Sequence, residues 1–383
     1  MFVRLIILTL LYPLTTIFAQ AEKKPAVAPP WNQWIEPDFP FFSTAVDARA
    51  KPVENNLTPR ALVFPLGDDH FLAYDLDLLR VAVTWKAEEV PFENASMSVN
   101  SYPYQLKKVG GGQKALPKPN GEILFQNGIY AGVSSGSPDF TDNRPAPPTE
   151  TEVGRGGIHP EQARFLGINI ESGVEIEYLV GKTRIRERFL LENAGLTRRL
   201  TVDAHEQSLY FAVAAKEYED SKFICRGKGR IQTIGNEVIC LVPASGKPAV
   251  ISIVFPLKGN PTKPGQPKAK RWKKKVRHPL VKAKQAGILD FETIPLPLEN
   301  PYRRGVRAAG IDFFKDGRVA LVTFDGDVWI GDGLRPGSKE VSWSRFASGL
   351  HEPLGLRLRK EEIFVFDRNG LWRLQDRDGN GEA

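Results

Sequence analysis

At 383 residues with 42% hydrophobic side chains, the chain can bury two or three cores, which excludes disorder as its overall class. Its formal net charge of +7 looks like a nucleic-acid signal, but 11 Lys and Arg residues fall between Lys258 and Leu289 with no Asp or Glu among them. The remaining 41 basic and 45 acidic residues leave a net of −4, so the basicity belongs to one segment and not to the whole surface.

In chain order, Arg4, the apolar run from Leu5 to Phe18 and Ala19-Gln20-Ala21 read as a signal peptide over residues 1–21. The run is short for a bilayer span of about 20 residues, and no later segment is apolar enough to serve as one. The mature chain is therefore expected to be exported, periplasmic or extracellular, with no transmembrane segment. Residues 22–30 form a flexible Pro-rich leader.

A β-sandwich-like domain is predicted over 31–257, because short alternating runs are many and helical periods few. Arg60–Pro65, Phe71–Asp75 and Leu79–Trp85 read as successive strands, with Gly67-Asp68-Asp69 as the first turn. Ser134 to Gly157 reads as a long polar loop. Leu166–Ile170 and Val174–Val180 flank a Ser172-Gly173 hairpin turn, and Thr183–Phe189 repeats the alternation. Leu209–Ala214 and Ala249–Phe255 look like buried strands.

Cys225 and Cys240 are the only cysteines and sit in two strand-like pieces with Arg230–Ile234 between them. In a flat meander they would lie about 10 Å apart, two strand spacings, too far to bridge. A disulfide needs a folded-over corner; otherwise they are buried free thiols. No Cys-x-x-Cys-His is present, so no haem is attached in this segment.

Residues 258–298 are predicted to be a solvated basic loop or linker, or else a docking strip for an anionic polymer or membrane surface. Binding through such a strip should be sensitive to salt. Trp272 alone among lysines is a poor platform for stacking bases, so no nucleic-acid partner is expected.

From residue 299 the texture changes to strand, turn, strand. Phe324-Asp-Gly-Asp-Val-Trp329 is echoed by Phe366-Asp-Arg-Asn-Gly-Leu-Trp372, and the two tryptophans stand 43 residues apart. That interval is a typical blade length, so 299–383 is expected to be the first blades of a β-propeller. Two blades cannot close a ring, and the strand pattern runs up to Asp376 without a partner strand, which suggests a truncated array. The fold class is thus mainly β, a β-sandwich-like domain followed by propeller blades.

Phe346-Ala-Ser-Gly-Leu-His-Glu-Pro-Leu-Gly355, Ile363–Asp367 and Leu371–Glu382 resemble the opening blades of sorbosone/glucose dehydrogenase-like propellers. Such propellers occur in large secreted bacterial proteins, often with a cytochrome c domain further on. The run from Arg60 to Trp85 resembles the uncharacterised domain that precedes them. The resemblance implies architecture, with quinone or haem in a full-length parent and later propeller blades of the same chain as partners. No motif here matches the family's catalytic or quinone-contacting residues.

Asp376, Asp378 and Asn380, followed by Gly381, match the start of a calcium loop, which places hard oxygens at alternate positions. The distal Glu of such a loop is missing, so a solvated turn is the competing reading, and calcium in a longer parent the sharper one. Gly132-Val-Ser-Ser-Gly136 matches the nucleophile-elbow pattern but lacks the helix that must follow. The five histidines show no metal-pair spacing; His351-Glu352-Pro353 is a candidate site-lining connection. Asp68, Asp69, Asp75 and Asp77 are carboxylates gathered around one hairpin, for which turn and edge roles compete with acid–base work. These features predict a non-catalytic recognition or scaffold segment of an exported dehydrogenase-like protein. Two alternatives stand beside it: part of a quinone- or haem-linked sugar or alcohol dehydrogenase with its active site in later blades, and a structural surface protein binding carbohydrate or an anionic polymer.

Overall fold

The computed structural model describes residues 39–93, 116–145, 155–171, 173–218, 222–257, 270–282, 292–302, 304–335 and 337–383. The expected signal peptide at 1–21, the leader at 22–30 and residues 258–269 of the basic segment lie outside the described residues. The described chain is mainly β, in antiparallel sheets, and none of its helices is long and apolar enough to cross a membrane.

The first sheet is a meander of β1 (Phe42–Asp47), β2 (Leu57–Gly67), β3 (His70–Asp75), β4 (Arg80–Phe92) and β5 (Pro119–Gln126). Period-two alternation sends Leu62, Phe64 and Leu66 to one face and Ala61 and Val63 to the other, and both faces are buried. Asp68 and Asp69 make the β2–β3 turn with φ of 49° and 57°, left-handed values that Asp tolerates better than most residues.

The next elements are β6 (Val133–Ser135), β7 (Ala163–Asn169), β8 (Glu175–Val180), β9 (Thr183–Glu192), β10 (Gly195–Val202), β11 (Leu209–Ala215), β12 (Ile224–Gly227), β13 (Arg230–Ile234), β14 (Glu237–Val242) and β15 (Ala249–Phe255). They form two sheets, ordered β12-β15-β10-β9-β8-β7 and β13-β14-β11-β6. Their inward residues, including Tyr178, Ile185, Leu200, Phe211 and Val213, share one core with Leu62, Phe64 and Tyr74 of the first sheet. The Gly132–Gly136 stretch is part of this fold: β6 pairs with β11, and the described residues 136–145 that follow contain no helix.

The fourth sheet is ordered β16 (Val276–Pro279), β22 (Glu340–Ala347), β21 (Val328–Asp332), β20 (Val319–Thr323), β19 (Ala308–Phe313). The short pair β17 (Val281–Lys282) and β18 (Glu292–Thr293) lies between β16 and β19 in sequence. A last, three-stranded sheet contains β23 (Gly355–Arg359), β24 (Glu362–Asp367) and β25 (Gly370–Leu374). The two sheets stack through Ala320, Val322, Val328, Leu356, Ile363 and Val365. Gly310 of β19 lets the strands approach, since a Cβ there would lie 2.7 Å from the Leu356 backbone nitrogen.

Part of the basic segment differs from a solvated loop. Val276–Pro279 joins the fourth sheet as β16, paired to β22, and Val281–Lys282 pairs with β18. Trp272 is buried, stacked on Phe39 at 5.7 Å and lying under the Arg345 guanidinium at 4.4 Å. Burying its large ring outweighs the charge of the neighbouring lysines, which keep their heads in water.

Candidate functional site: a cleft between two sheet edges

β7 ends the six-stranded sheet and β25 ends the three-stranded sheet. Consecutive residues of both, Leu166–Glu171 and Leu371–Gln375, line a cleft of about 500 Å³. Its remaining walls include Phe39 and Phe41 ahead of β1, the 347–350 segment after β22, and Arg271. The rings of Phe165 and Trp372 meet edge-on across it, centroids 5.7 Å apart. Trp372 is held from behind, because its indole N–H donates to Asp367 Oδ1 at 2.9 Å.

Asp367 organises this end of the last sheet. It also accepts the backbone N–H groups of His351, Asn369 and Gly370 at 2.8, 2.8 and 3.0 Å. Asn369 is a cleft residue, and its side chain links Ser43 Oγ at 3.2 Å to His351 Nδ1 at 3.3 Å. His351 itself lies wholly behind the cleft, with Nε2 lacking a hydrogen-bond partner. Burial, with the Arg368 charge nearby, pushes its imidazole down to about 3, so the ring is neutral near pH 7. The expected site-lining role of His351 thus becomes a supporting one.

The turn at 376–382 forms the cleft rim. Asp378 and Asn380 line the cleft; Asp376 is exposed and outside its lining. Asp376 Oδ1 accepts the N–H groups of Gly379 and Asn380 at 2.8 and 3.1 Å, and its Oδ2 that of Gly381 at 2.9 Å. Asp378 accepts from the Asn380 backbone and side chain at 3.2 and 2.9 Å. Lys270 Nζ donates to the Asn380 carbonyl at 2.9 Å, and Glu382 accepts the backbone N–H groups of Arg271 and Trp272 at 2.8 and 2.7 Å. The calcium-loop pattern is therefore folded around its own amides and a lysine. Among the described residues, no three or more His, Cys, Asp or Glu side chains are placed to share a metal ion.

The four hairpin aspartates do not form one cluster. Asp68 and Asp69 cap one end of β3, and Asp75 and Asp77 lie at the other. Asp75 accepts from Arg80 Nε at 3.2 Å, and Arg80, fully buried, continues to the Asn127 carbonyl at 2.8 Å and Asn56 Oδ1 at 2.9 Å. Asp77 receives Arg60 Nε at 2.8 Å, while burial, with the adjacent Asp75 charge, pushes its carboxyl up to about 6.

Two further buried networks escape a reading by motif. Glu187 accepts from Arg198 Nε at 2.5 Å and from the hydroxyls of Tyr178 and Tyr74 at 2.9 and 3.4 Å. Asp327 accepts from Arg345, Arg304 and Ser348 at 2.6, 2.8 and 2.7 Å. For Glu187 a signal was available. It shares strand parity with Ile185 and Phe189, so alternation alone aims it inward.

A family model described as a domain of unknown function (DUF6797) matches residues 72–187, from β3 into β9. That span is less than a third of the chain, and it contains Asp75, Arg80 and Glu187. It overlaps the run that resembles an uncharacterised domain. No curated protein and no solved structure matches the chain.

Proposed function

We propose that this chain is a non-catalytic recognition and scaffold segment of an exported, dehydrogenase-like protein, and that its last sheet receives a further antiparallel β-sheet of the same parent. The observation that carries the reading is the bare outer face of that sheet. Phe366 and Leu371 are register partners on it, 56% and 71% exposed, and Leu354 beside them is 65% exposed. Contiguous apolar surface of this kind marks a contact surface. In the preceding sheet, β22 pairs along β21, whereas β25, the third strand of its own sheet, is an edge strand on the cleft among the described residues. A fourth strand on β25 would repeat the arrangement of β19 to β22, and a following sheet would cover Phe366 and Leu371. The opposite end of the stack is also apolar, with Ile311 and Phe313 of β19 at 44% and 55% exposure. Sheets stacked around an axis bury both such faces.

A propeller site draws its groups from several blades, so two sheets alone are not expected to hold a reacting sugar in place. The test is an artificial-acceptor dye assay on the purified chain with aldoses and alcohols, in the presence of quinone and calcium. No turnover is expected. Turnover would overturn the scaffold reading and direct mutation first to Asp77 and Asp75.

A further inference from the structure

The two cysteines lie on different sheets. Cys225 on β12 stands opposite Ile253 of β15, and Cys240 on β14 stands opposite Phe211 of β11 and Ile231 of β13. In a flat meander they would be two strands apart, yet their sulfurs approach to 3.7 Å. The fold-over at Gly227, Lys228 and Gly229 causes this. Gly227 takes φ of 98°, a value that favours glycine, and the chain passes there from one sheet to the other. Gly229 lies against both sulfurs: a Cβ on it would sit 2.9 Å from Cys240 Sγ and 3.0 Å from Cys225 Sγ. No side chain at 229 separates the pair. The two thiols also differ in access, since Cys240 is fully buried and Cys225 is partly exposed.

We propose that Cys225 and Cys240 are a site of covalent modification, forming an intrachain disulfide that joins the two sheets, with Cys225 as the thiol that the oxidant reaches first. The oxidant is a small disulfide or a disulfide-carrying oxidoreductase. Cys225 loses its proton and attacks one sulfur of the oxidant, whose S–S bond breaks, and the first thiol leaves carrying a proton. Cys240 then loses its proton and attacks the Cys225 sulfur, which releases the second thiol. Two protein thiols are oxidised by two electrons, and one oxidant disulfide is reduced to two thiols. The order fits the environment of each sulfur: the contact with Cys240 holds the Cys225 thiol below its ordinary range, and the same contact with burial pushes Cys240 up. Closing the bridge fixes the sheets across a short loop and constrains the unfolded chain. The inference does not depend on the scaffold reading or on where the protein resides.

The experiment treats the purified, reduced full chain with oxidised glutathione and follows intact mass, free thiols after denaturation, and the Cys225–Cys240 peptide pair. The expected product is a monomer that has lost both thiols, retains no glutathione, and has a higher denaturant midpoint than the reduced chain. Cys240→Ala should stop at a glutathione adduct on Cys225, and Cys225→Ala should stay unmodified while folded. Wild-type chain that keeps its adduct, keeps both thiols, or links into dimers would overturn the proposal, and none of those readouts depends on a variant that must fold.

Discussion

Arg345 lies over the ring of Trp272, 4.4 Å from its centroid, and passes its charge on to Asp327 at 2.6 Å. One contact thus ties the basic segment to the fourth sheet, and the stacking of Trp272 on Phe39 ties both to the residues that enter β1. The start of this segment is held by the buried Trp272 ring together with Lys270 on the Asn380 carbonyl and Glu382 on the Arg271 and Trp272 amides.

Trp272→Ala is accordingly expected to cost about 3–5 kcal/mol, the range for truncating a buried large aromatic. Replacing the exposed Lys273 and Lys274 by Ala should change stability little, in the way of surface substitutions. Urea unfolding midpoints of the variants check both statements.

Glu187→Ala leaves the Arg198 guanidinium buried without its carboxylate. Breaking one partner of a buried pair typically costs about 3–5 kcal/mol. The double replacement Glu187→Leu with Arg198→Met should recover much of that loss, because no charge is then stranded. The same unfolding measurement decides it, and a double variant no better than the single one would count against the network.

Neutral, buried His351 gives an acid dependence of known sign. Its folded pKa, about 3, lies below the ordinary value of 6.5, so the unfolded chain binds more protons between the two. Its stabilising contribution is present above pH 6.5 and is lost as pH falls toward 3, with a slope of at most about 1.4 kcal/mol per pH unit. His351→Gln should flatten that part of the stability–pH curve, measured by denaturant unfolding from pH 4 to 7.

The fold was largely legible, and the misses have physical causes. The strands from Val174 to Phe189 follow the alternation that a half-buried sheet imposes, whereas those from Arg60 to Trp85 are near-continuous apolar runs because both faces of the first sheet are buried. The 43-residue echo between Trp329 and Trp372 marks two related sheets, yet β22 escaped because Glu340–Ala347 mixes serines and an arginine whose partners are remote. The close approach of Cys225 to Cys240 depends on a corner made by glycines, and glycine turns do not state their direction. The cleft was not legible at all. β7 and β25 are about 200 residues apart in sequence and meet only through packing. Asp378 and Asn380 are the exception, singled out by spacing and found on the cleft rim.

For the turn itself, Asp376→Ala removes an acceptor shared by three backbone N–H groups. Because these bonds are exposed and water can replace the lost acceptor, it should destabilise by no more than about 0.5–1.5 kcal/mol. Since amides and Lys270 already hold the turn, a chelator should leave the melting temperature unchanged. A chelator-induced drop would instead show that the turn depends on a cation.

If the edge and outer face of β23 to β25 receive a further sheet of the parent, amide hydrogen exchange over Gly370–Leu374 will differ between the purified 383-residue chain and the native polypeptide recovered from its source cells. The expected result is a native polypeptide heavier than 42.7 kDa in which these amides exchange markedly more slowly than in the chain alone. Equal exchange in the two, or a native polypeptide no larger than this chain, would contradict it.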